Sequence, residues 1–358
     1  MSGGRIGVGI IGCGRIFDLH MLGYQDRDDA EVLAVADIGD ECRAERCEQF
    51  SITHAHADYR EILADPAVDM VEILTPHHLH HEMAMKAIEA GKHVSLQKPP
   101  ALNVADLDDM IKAADEAGVK LRVFENFVFY PPIIKAKQLI EEGAIGNPLN
   151  IRMRSVAGSA EGGWDVPLEA WSWRVKEETC GGGPFIFDDG YHKFSTALYL
   201  MGDVEKVYAW MEGTSLGEGM MVDAPAICIW KHGGDKGYGS IDFTWSYDMY
   251  IKSKYYSADD RVEITGTQGI IWVTRAHGEM LDIPPVLLYR EGELTAFEDM
   301  ETDWGVSFRD STRHFLDVLQ GKGQPRLSGE EAKKVLQFAL AALRSAREGQ
   351  EVRPDEIT

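Results

Sequence analysis

The sequence has few basic residues and no long hydrophobic run. Its 358 residues include 36 lysines and arginines against 59 acidic residues, which gives a formal net charge of −23. Nucleic acids and anionic membrane surfaces attract basic faces, so neither is an expected partner. No apolar stretch reaches the roughly 20 residues of a membrane-spanning helix. The acidic balance favours a soluble protein.

Cysteines are also scarce, and their count is odd. The five are Cys13, Cys42, Cys47, Cys180 and Cys228. No pair has the C-x-x-C spacing, so the pattern predicts free thiols in a reducing compartment. The N-terminal stretch MSGGRIGVGIIG has no long apolar region followed by a cleavage site, so no secretory signal is predicted. A cytoplasmic location is therefore expected.

Apolar strands and helices alternate over the first third of the chain. Strands are predicted at 5–12, 31–37, 70–76, 93–97 and 120–125, with helices at 16–25, 41–50, 79–90 and 104–117. Strands that are apolar throughout and alternate with helices indicate a parallel sheet covered on both faces. We therefore predict an α/β, doubly wound first domain that spans residues 1–127.

The rhythm changes after Pro131. A helix is predicted at 133–142, and a second helix begins within 181–202. Strands are predicted at 147–158, 204–213, 224–233, 238–247, 261–276 and 285–297, and two helices close the chain at 304–320 and 329–348. Consecutive strands without crossover helices favour an open, mostly antiparallel sheet. The predicted second domain, of the α+β class, spans residues 128–358.

A glycine-rich turn, GIIGCGRIF, follows the first predicted strand and opens the first helix. Gly12 permits a tight turn, and Gly14 lets a pyrophosphate approach the backbone amides that follow. Phe17 stands where a glycine or alanine is usual. Asp37 ends the second strand, where an acid can accept hydrogen bonds from a ribose diol. Because its carboxylate would repel a 2′-phosphate, NAD is predicted over NADP, with Arg43 nearby as the opposing charge.

A lysine stands at the end of the predicted strand 93–97, in the stretch HVSLQKPPAL. Pro99 and Pro100 follow Lys98 directly, and prolines end strands and restrict the backbone. Ligands of parallel sheets bind at the carboxyl ends of the strands. An ammonium group held there can bind a reacting hydroxyl and stabilise negative charge on its oxygen. We predict that Lys98 is catalytic and binds substrate; the alternative is a solvated lysine at a strand end.

Several motifs resemble one family of oxidoreductases. They are IGCGRI, TPHHLHHEMAMKAIEAGKHVSLQKP, GGGPFIFDDGYH, RVEITGTQGIIWV and SAREGQEV, and they are spread from end to end. The chain resembles the Gfo/Idh/MocA family of glucose–fructose oxidoreductase, inositol dehydrogenase and rhizopine catabolism. The resemblance implies an N-terminal Rossmann domain that binds NAD(P). It also implies a C-terminal open sheet that forms homodimers or homotetramers.

The resemblance also implies site residues. The family's Glu-Lys-Pro motif places its lysine at the site of hydride transfer; here the lysine is Lys98, and Gln97 replaces the glutamate. An Asp-x-x-x-His helix corresponds to Asp188 and His192, and His80 corresponds to a histidine near the nicotinamide end of the cofactor. Further expected cofactor contacts are Arg15, Ile16, Thr75, Pro76, Gln97, Lys98 and Asn126.

Asp188 and His192 are four residues apart, so both side chains face one way if the stretch is helical. A neutral imidazole is a competent general base near neutral pH, and the carboxylate can orient it or hold a substrate hydroxyl. Both are therefore predicted to be catalytic and to bind substrate. The alternative is a buried histidine that only completes the core.

Two further groups of side chains are candidate ligand contacts. Trp164, Trp173 and Arg174 lie in a loop rich in tryptophan and glycine, and they are predicted to contact substrate, because indole rings suit sugar C–H faces and guanidinium suits hydroxyls or anions. Packing at a domain or subunit interface is the alternative for these rings. The histidines of PHHLHH have no accompanying cysteines or acid cluster, so no metal site is predicted.

These observations predict an NAD-dependent dehydrogenase that oxidises a secondary alcohol of a sugar, cyclitol or sugar acid. One alternative is a glycosidase that oxidises its sugar transiently, eliminates the aglycone and takes the hydride back. Another is a sensor that binds dinucleotide and sugar without turnover, although the presence of Lys98, Asp188 and His192 argues against it.

Overall fold

The computed structural model describes residues 5–158, 163, 164, 166, 168–217, 220–234 and 236–358. The chain divides into two compact units. The first comprises Met1–Glu125 and Phe308–Lys333, and the second comprises Asn126–Ser307 and Lys334–Thr358. The segment 308–333, which the sequence placed in the second domain, thus belongs with the first unit.

The first unit contains a six-stranded parallel sheet. Its strands are β1 (Ile6–Ile11), β2 (Ala30–Ala36), β3 (His54–His56), β4 (Met70–Ile73), β5 (His93–Gln97) and β6 (Leu121–Phe124). They run in the order β3-β2-β1-β4-β5-β6, and every neighbouring pair is parallel. The predicted doubly wound fold is confirmed. The order reverses between β1 and β4, where such sheets bind their ligands.

Five α-helices accompany this sheet before residue 126: Phe17–Met21, Asp40–Phe50, Arg60–Ala64, His80–Glu89 and Val104–Ala117. The first is shorter than the predicted helix 16–25 and continues only as turns. Gly23 lies in this stretch, and glycine disfavours a helix interior. A Cβ at this position would come 2.3 Å from the Cβ of Thr312, so the close approach of Thr312 requires glycine there.

Residues 308–319 complete the hydrophobic core of the first unit. Phe315, Leu316, Val318 and Leu319 pack into one buried cluster with side chains of β1 and with Phe17. An amphipathic segment is stable only where its apolar face is covered. This burial explains why the segment belongs to the first unit although it is nearly 200 residues distant in sequence. A hydrogen bond from Arg122, in β6, to Ser311 also joins the segment to this unit.

The second unit is built around an eight-stranded mixed sheet. The remaining strands are β7 (Pro148–Ala157), β8 (Val204–Met211), β9 (Thr214–Gly217), β10 (Met220–Val222), β11 (Ala226–His232), β12 (Tyr238–Trp245), β13 (Ala258–Gly266), β14 (Gly269–Val273), β15 (Val286–Arg290) and β16 (Glu293–Phe297). The sheet order is β16-β15-β14-β13-β7-β12-β11-β8, with β9 and β10 paired separately. Only the β7–β12 pair is parallel within this sheet, so the predicted, mostly antiparallel sheet is confirmed.

The α-helices after residue 126 are Pro131–Glu141, Leu168–Trp171, Glu177–Cys180, Gly190–Met201, Trp304–Leu319 and Gly329–Glu348. Helices Pro131–Glu141 and Gly190–Met201 contact one face of the large sheet. The opposite face is apolar and exposed at one end: Trp210 pairs with Ile227, Tyr208 pairs with Ile229, and both isoleucines are 40% exposed. Buried and exposed residues alternate along β11, and the described residues leave this face exposed there.

Candidate active site

The turn after β1 has the backbone that the glycine pattern predicts. Gly12 has φ +104°, and a Cβ on it would lie 3.0 Å from the carbonyl group of Leu74. Conformation and space therefore both require glycine there. At Gly14, no atom lies within 4 Å of the position that a Cβ would take. The open space beside Gly14 and the exposed Arg15 suits a phosphate group held by backbone amides.

Phe17 changes the packing behind this turn. Its ring is fully buried, lies 5.6 Å from the ring of Phe50, and has the Arg46 guanidinium carbon 5.9 Å from its centroid. The aromatic ring therefore fills the space between helices Phe17–Met21 and Asp40–Phe50. The departure from a small residue affects helix packing and leaves the glycine turn intact.

The carboxylate of Asp37 is joined to the glycine turn. Its Oδ2 accepts the backbone N–H of Cys13 at 2.7 Å, and its Oδ1 accepts that of Gly39 at 2.8 Å. Each carboxylate oxygen keeps a lone pair for a further donor. Arg43 donates to the backbone oxygen of Asp37 and to the carboxylate of Asp40. The Arg43 guanidinium group, the charge that opposes the preference for NAD, is thus engaged by neighbouring residues.

Lys98 directly follows β5, at the carboxyl edge of the parallel sheet. Because all six strands are parallel, the residues that follow β1, β2, β4 and β5 lie at this same edge. They include Gly12, Asp37, Thr75 and Lys98. The side-chain Oε1 of Gln97 accepts the backbone N–H of Lys98 at 2.8 Å, and the Lys98–Pro99 peptide bond is cis. The sheet topology therefore collects the predicted cofactor residues of the first unit and the lysine.

His80 lies inside the first unit, where it has no exposed surface. Its Nδ1 lies 2.9 Å from the backbone oxygen of Pro99, and its Nε2 lies 2.9 Å from that of Thr75. Burial lowers the pKa of His80 to about 3, so the ring is neutral. Both nitrogens face backbone groups and neither faces outward. His80 thus lies between the backbone after β4 and the backbone after β5, and its single N–H in the neutral state can donate to one of the two oxygens. Thr75 and Pro76 remain partly exposed.

In the second unit, Asp188 and His192 lie on two different kinds of helical turn. Pro184–Asp189 is a π-helical stretch that leads into helix Gly190–Met201. Such π-turns occur frequently at functional sites. Asp223 fixes the start of this stretch, because its carboxylate accepts the backbone N–H groups of Phe185 and Ile186 at 2.8 and 2.7 Å. Asp223 is not among the residues predicted from the sequence, although it stands just before an Ala-Pro pair that indicates a turn.

Asp188 forms an ion pair with Arg174. Both residues were predicted to bind substrate. Arg174 Nε lies 2.8 Å from Oδ2 of Asp188, and its guanidinium group stacks 4.4 Å from the ring centroid of Trp173. The three predicted residues are therefore brought together. His192, buried except for 8% of its surface, has its ring 4.8 Å from that of Phe127.

Trp164 and Asn126 lie in packed surroundings within the second unit. The ring of Trp164 meets Tyr255 and Tyr256 edge to face, at centroid distances of 5.3 and 5.2 Å. Asn126 is fully buried and donates from Nδ2 to the Ser307 hydroxyl at 2.9 Å. Trp164 is thus part of an aromatic cluster, as the packing alternative anticipates. Oδ1 of Asn126 is buried and has no hydrogen-bond partner among the described residues.

A buried polar cluster in the first unit was missed by the sequence analysis. Glu72, Ser95 and Arg122 come from three neighbouring strands, and His20 and Tyr24 complete the group. Glu72 and His20 have no exposed surface, and Arg122 has 1%. Charged residues inside otherwise apolar strands were the available signal, since they are rarely buried without partners.

Two negative results apply to the part of the chain that the structure describes. The described residues contain no cluster of three or more histidine, cysteine or acidic side chains with metal-binding geometry. None of the described helices combines the length and apolar character needed to span a bilayer.

Comparisons with known proteins agree with this architecture. Residues 6–125 match the family described as "Oxidoreductase family, NAD-binding Rossmann fold", and residues 133–272 match the "GFO/IDH/MocA C-terminal domain". Myo-inositol 2-dehydrogenase of Thermotoga maritima is 29% identical over 98% of this chain and 99% of its own length. D-apiose dehydrogenase of Paraburkholderia graminis is 28% identical over 96% of this chain and 88% of its own.

Solved structures show the same fold. An oxidoreductase from Agrobacterium radiobacter, in complex with NAD⁺, L-tartaric acid and magnesium, superposes with a TM-score of 0.85 at 22% identity, covering 98% of this chain and 99% of that one. Levoglucosan dehydrogenase in complex with NADH and levoglucosan gives 0.82 at 24% identity, with the same coverage. The glycine turn, the acid after β2, the lysine after β5 and the two matched domains place this chain in the Gfo/Idh/MocA family of oxidoreductases, with an NAD-binding Rossmann domain.

Proposed function

We propose that the protein oxidises a secondary alcohol of a sugar, cyclitol or sugar acid with NAD as oxidant. The observation that carries the proposal is the carboxyl edge of the first sheet, which holds the glycine turn, Asp37 and Lys98 together. The full-length relatives named as dehydrogenases of myo-inositol and D-apiose support a polyol or sugar substrate. No observation favours the glycosidase or the sensor.

The cofactor is assigned to the first unit. The turn at Gly12 and Gly14, with Arg15 and Ile16, would bind the pyrophosphate, and Thr75 and Pro76 would lie along the nicotinamide half. Asp37 would bind the ribose diol, and its charge favours NAD over NADP. When bound, NAD supplies the acceptor for the hydride that leaves the carbinol carbon. Gln97 accepts the backbone N–H of Lys98, and His80 lies 2.9 Å from the backbone oxygen of Thr75. Asn126 donates from Nδ2 to the Ser307 hydroxyl, while its Oδ1 has no hydrogen-bond partner among the described residues.

The proton chemistry is assigned to two side chains. His192 accepts the proton of the reacting hydroxyl, as a neutral imidazole can near neutral pH. Lys98 donates a hydrogen bond to the same oxygen and stabilises its developing negative charge. The role of base is therefore assigned to His192, and stabilisation of the charge on the oxygen is assigned to Lys98.

Substrate orientation is assigned to the pair of Arg174 and Asp188, with the Trp173 ring beside them. Guanidinium N–H groups donate to hydroxyl or carboxylate oxygens, and a carboxylate accepts from hydroxyls. Because the pair neutralises itself at 2.8 Å, it offers both donors and acceptors without net charge. This combination suits neighbouring hydroxyl groups on a polyol ring.

A panel of sugars, cyclitols, sugar acids and aryl glycosides, incubated with NAD, tests the proposal. Accumulation of NADH with an unmodified polyol is the expected result. Release of aglycone with only catalytic NAD and no NADH would assign the glycosidase reaction instead. Tight binding of NAD and sugar without either product would assign the sensor.

We also propose that the protein forms a homodimer or homotetramer through the exposed sheet face of the second unit. Tyr208, Trp210, Ile227 and Ile229 form an apolar patch on this face, and a second copy presents the same patch in an isologous contact. Light scattering on wild type and Ile229→Lys should show an oligomer and its dissociation. A monomeric wild type would contradict the assignment. A cytoplasmic location stays a prediction.

A further inference from the structure

The side-chain amide of Gln97 connects Lys98 to a buried histidine. Its Oε1 accepts the backbone N–H of Lys98, and its Nε2 lies 3.0 Å from Nε2 of His20. If the Gln97 amide were rotated by 180°, its NH₂ group would face the backbone N–H of Lys98, and two donors would meet. The hydrogen bond from Lys98 therefore fixes which side of the amide faces His20. Nε2 of Gln97 is therefore a donor. Nε2 of His20 must accept, and it carries no proton.

The other nitrogen of His20 faces Glu72. Nδ1 lies 3.0 Å from Oε1 of this carboxylate, at ion-pair distance. Tyr24 donates to Oε2 of Glu72 at 2.8 Å, and Ser95 donates to Oε1 at 3.1 Å. Burial raises the pKa of Glu72, but His20, Arg122 and Tyr24 together hold it below its ordinary value. A carboxylate accepts and does not donate, so this short distance agrees with a proton on Nδ1, which the acceptor role of Nε2 already requires of the ring.

The charges of the cluster balance when His20 is neutral. Arg122, with its Nη2 3.7 Å from Glu72 Oε1, supplies one positive charge against one negative charge. The centroid of the His20 ring lies 4.1 Å from that of Phe124 and 5.4 Å from that of Phe308, so apolar rings pack against it. Both polar contacts and the charge balance therefore select the same neutral tautomer of His20.

We infer that Gln97 is a positioning residue that holds the backbone of Lys98 to the buried Glu72 through neutral His20. Gln97 stands where the family motif has a glutamate, so position 97 has an amide in place of a carboxylate. A carboxylate is present on the other side of the His20 ring, at Glu72. The kinetic part of this inference rests on the proposed function, in which Lys98 acts on the substrate oxygen. The protonation part does not.

Restoring the carboxylate should change the proton on His20. In Gln97→Glu, one oxygen still accepts the Lys98 N–H, but the other offers only lone pairs to Nε2 of His20. His20 then takes up a second proton and lies as an imidazolium between two carboxylates. The added negative charge and the added proton cancel, so the net charge of the cluster is unchanged.

Nitrogen-15 NMR on histidine-labelled protein tests this directly, with the His20 signals assigned by their loss in His20→Asn. Wild type should show a protonated Nδ1 and an unprotonated Nε2 near neutral pH. Gln97→Glu should show both nitrogens protonated, while the signals of His80, which forms no hydrogen bond with Gln97 or His20 in the described part of the chain, stay unchanged. Protonated Nε2 in wild type, or an unchanged His20 spectrum in Gln97→Glu, would overturn the inference. The wild-type spectrum decides alone if the variant does not fold.

Turnover separates positioning from plain structural support. Gln97→Leu removes the acceptor for the Lys98 N–H, so kcat should fall about tenfold with KM for NAD within about twofold. Gln97→Glu keeps that acceptor and should restore most of the lost kcat. Wild-type turnover in Gln97→Leu would show that the amide does not position Lys98, and the dehydrogenase function would still stand. If no polyol is oxidised at all, the NMR result remains decisive.

Discussion

Removing the charge of Asp37 while keeping its shape should change which dinucleotide the protein prefers. Asp37→Asn is the natural variant, because the amide oxygen can still accept one of the two backbone N–H groups now bound, those of Cys13 and Gly39. The variant loses the carboxylate that is assigned to the ribose diol. NAD should therefore bind more weakly and NADP more tightly.

The expected magnitudes follow from the two effects of that charge. A hydrogen bond to a charged group contributes about 1.5–3 kcal/mol, so loss of one from the ribose lowers NAD affinity roughly 10- to 150-fold. A 2′-phosphate charge held about 6 Å from a carboxylate, at an effective dielectric constant of about 20, is repelled by about 3 kcal/mol. Relief of this repulsion acts in the opposite direction on NADP, so the ratio of the two affinities should change by more than tenfold.

Calorimetric titration of both dinucleotides into wild type, Asp37→Asn and Glu41→Gln measures the ratio. Glu41 is an exposed acid in the first turn of helix Asp40–Phe50, so its variant loses the same charge from the same segment and serves as the matched control. The control should keep the wild-type preference for NAD. An Asp37→Asn ratio within about twofold of wild type would refute the assignment of Asp37 to the ribose. An equal change of the ratio in the control would show that the preference for NAD depends on the summed negative charge of this segment and not on Asp37 itself.

Four further variants test the site and its support. Lys98→Met should abolish NADH formation while the Kd for NAD, measured by titration, stays within about twofold, since the ammonium acts on substrate; a normal rate would remove Lys98 from the chemistry. His192→Ala should lower kcat roughly 10²-fold in steady-state assays with NAD affinity retained; near-normal turnover would mean that another group is the base. Arg122→Met leaves the buried Glu72 carboxylate without its counter-charge and should cost about 3–5 kcal/mol in urea unfolding, with much of the loss recovered by adding Glu72→Gln; an unchanged unfolding free energy would contradict the pairing. Burial raises the pKa of Asp223 to about 6, so the folded state holds its proton more tightly than the unfolded chain, and the stability from this site is lost as pH rises from about 4 to about 6; Asp223→Asn should remove that part of the slope, and an identical slope in both proteins would contradict it.

The strands of the first sheet were predictable because their residues are apolar throughout. Strand β5 and helix Val104–Ala117 have the predicted bounds, and the helix ends at Gly118 with φ +68° as a glycine cap requires. β3 and helix Arg60–Ala64 were missed, since they have three and five residues and show no periodicity of their own. Such short elements are stabilised by packing against neighbouring elements, and the local sequence pattern carries no information about that packing.

The residues of the candidate site were predictable where a rule about the backbone fixes their position. They were not predictable where tertiary packing brings distant residues into contact. Gly12 and Asp37 stand at fixed places in a strand–turn–helix unit, so their positions followed from the order of elements. The connection from Gln97 through His20 to Glu72 joins residues up to 77 positions apart, and no spacing in the sequence indicates it. Adjacent strand residues point to opposite faces of a sheet, and at the end of β5 the side chain of Gln97 turns inward to the buried His20.

The two-segment construction of the first unit has a consequence for how the chain is made. The ribosome releases β1 to β6 long before Phe315 and Leu316, which cover part of the same core. Until residues 308–319 emerge, the apolar side chains of β1 and Phe17 lack that cover and are candidates for chaperone binding. The NAD-binding unit therefore reaches its final packing only after most of the second unit has been synthesised, and a fragment that stops at residue 125 would expose this surface permanently.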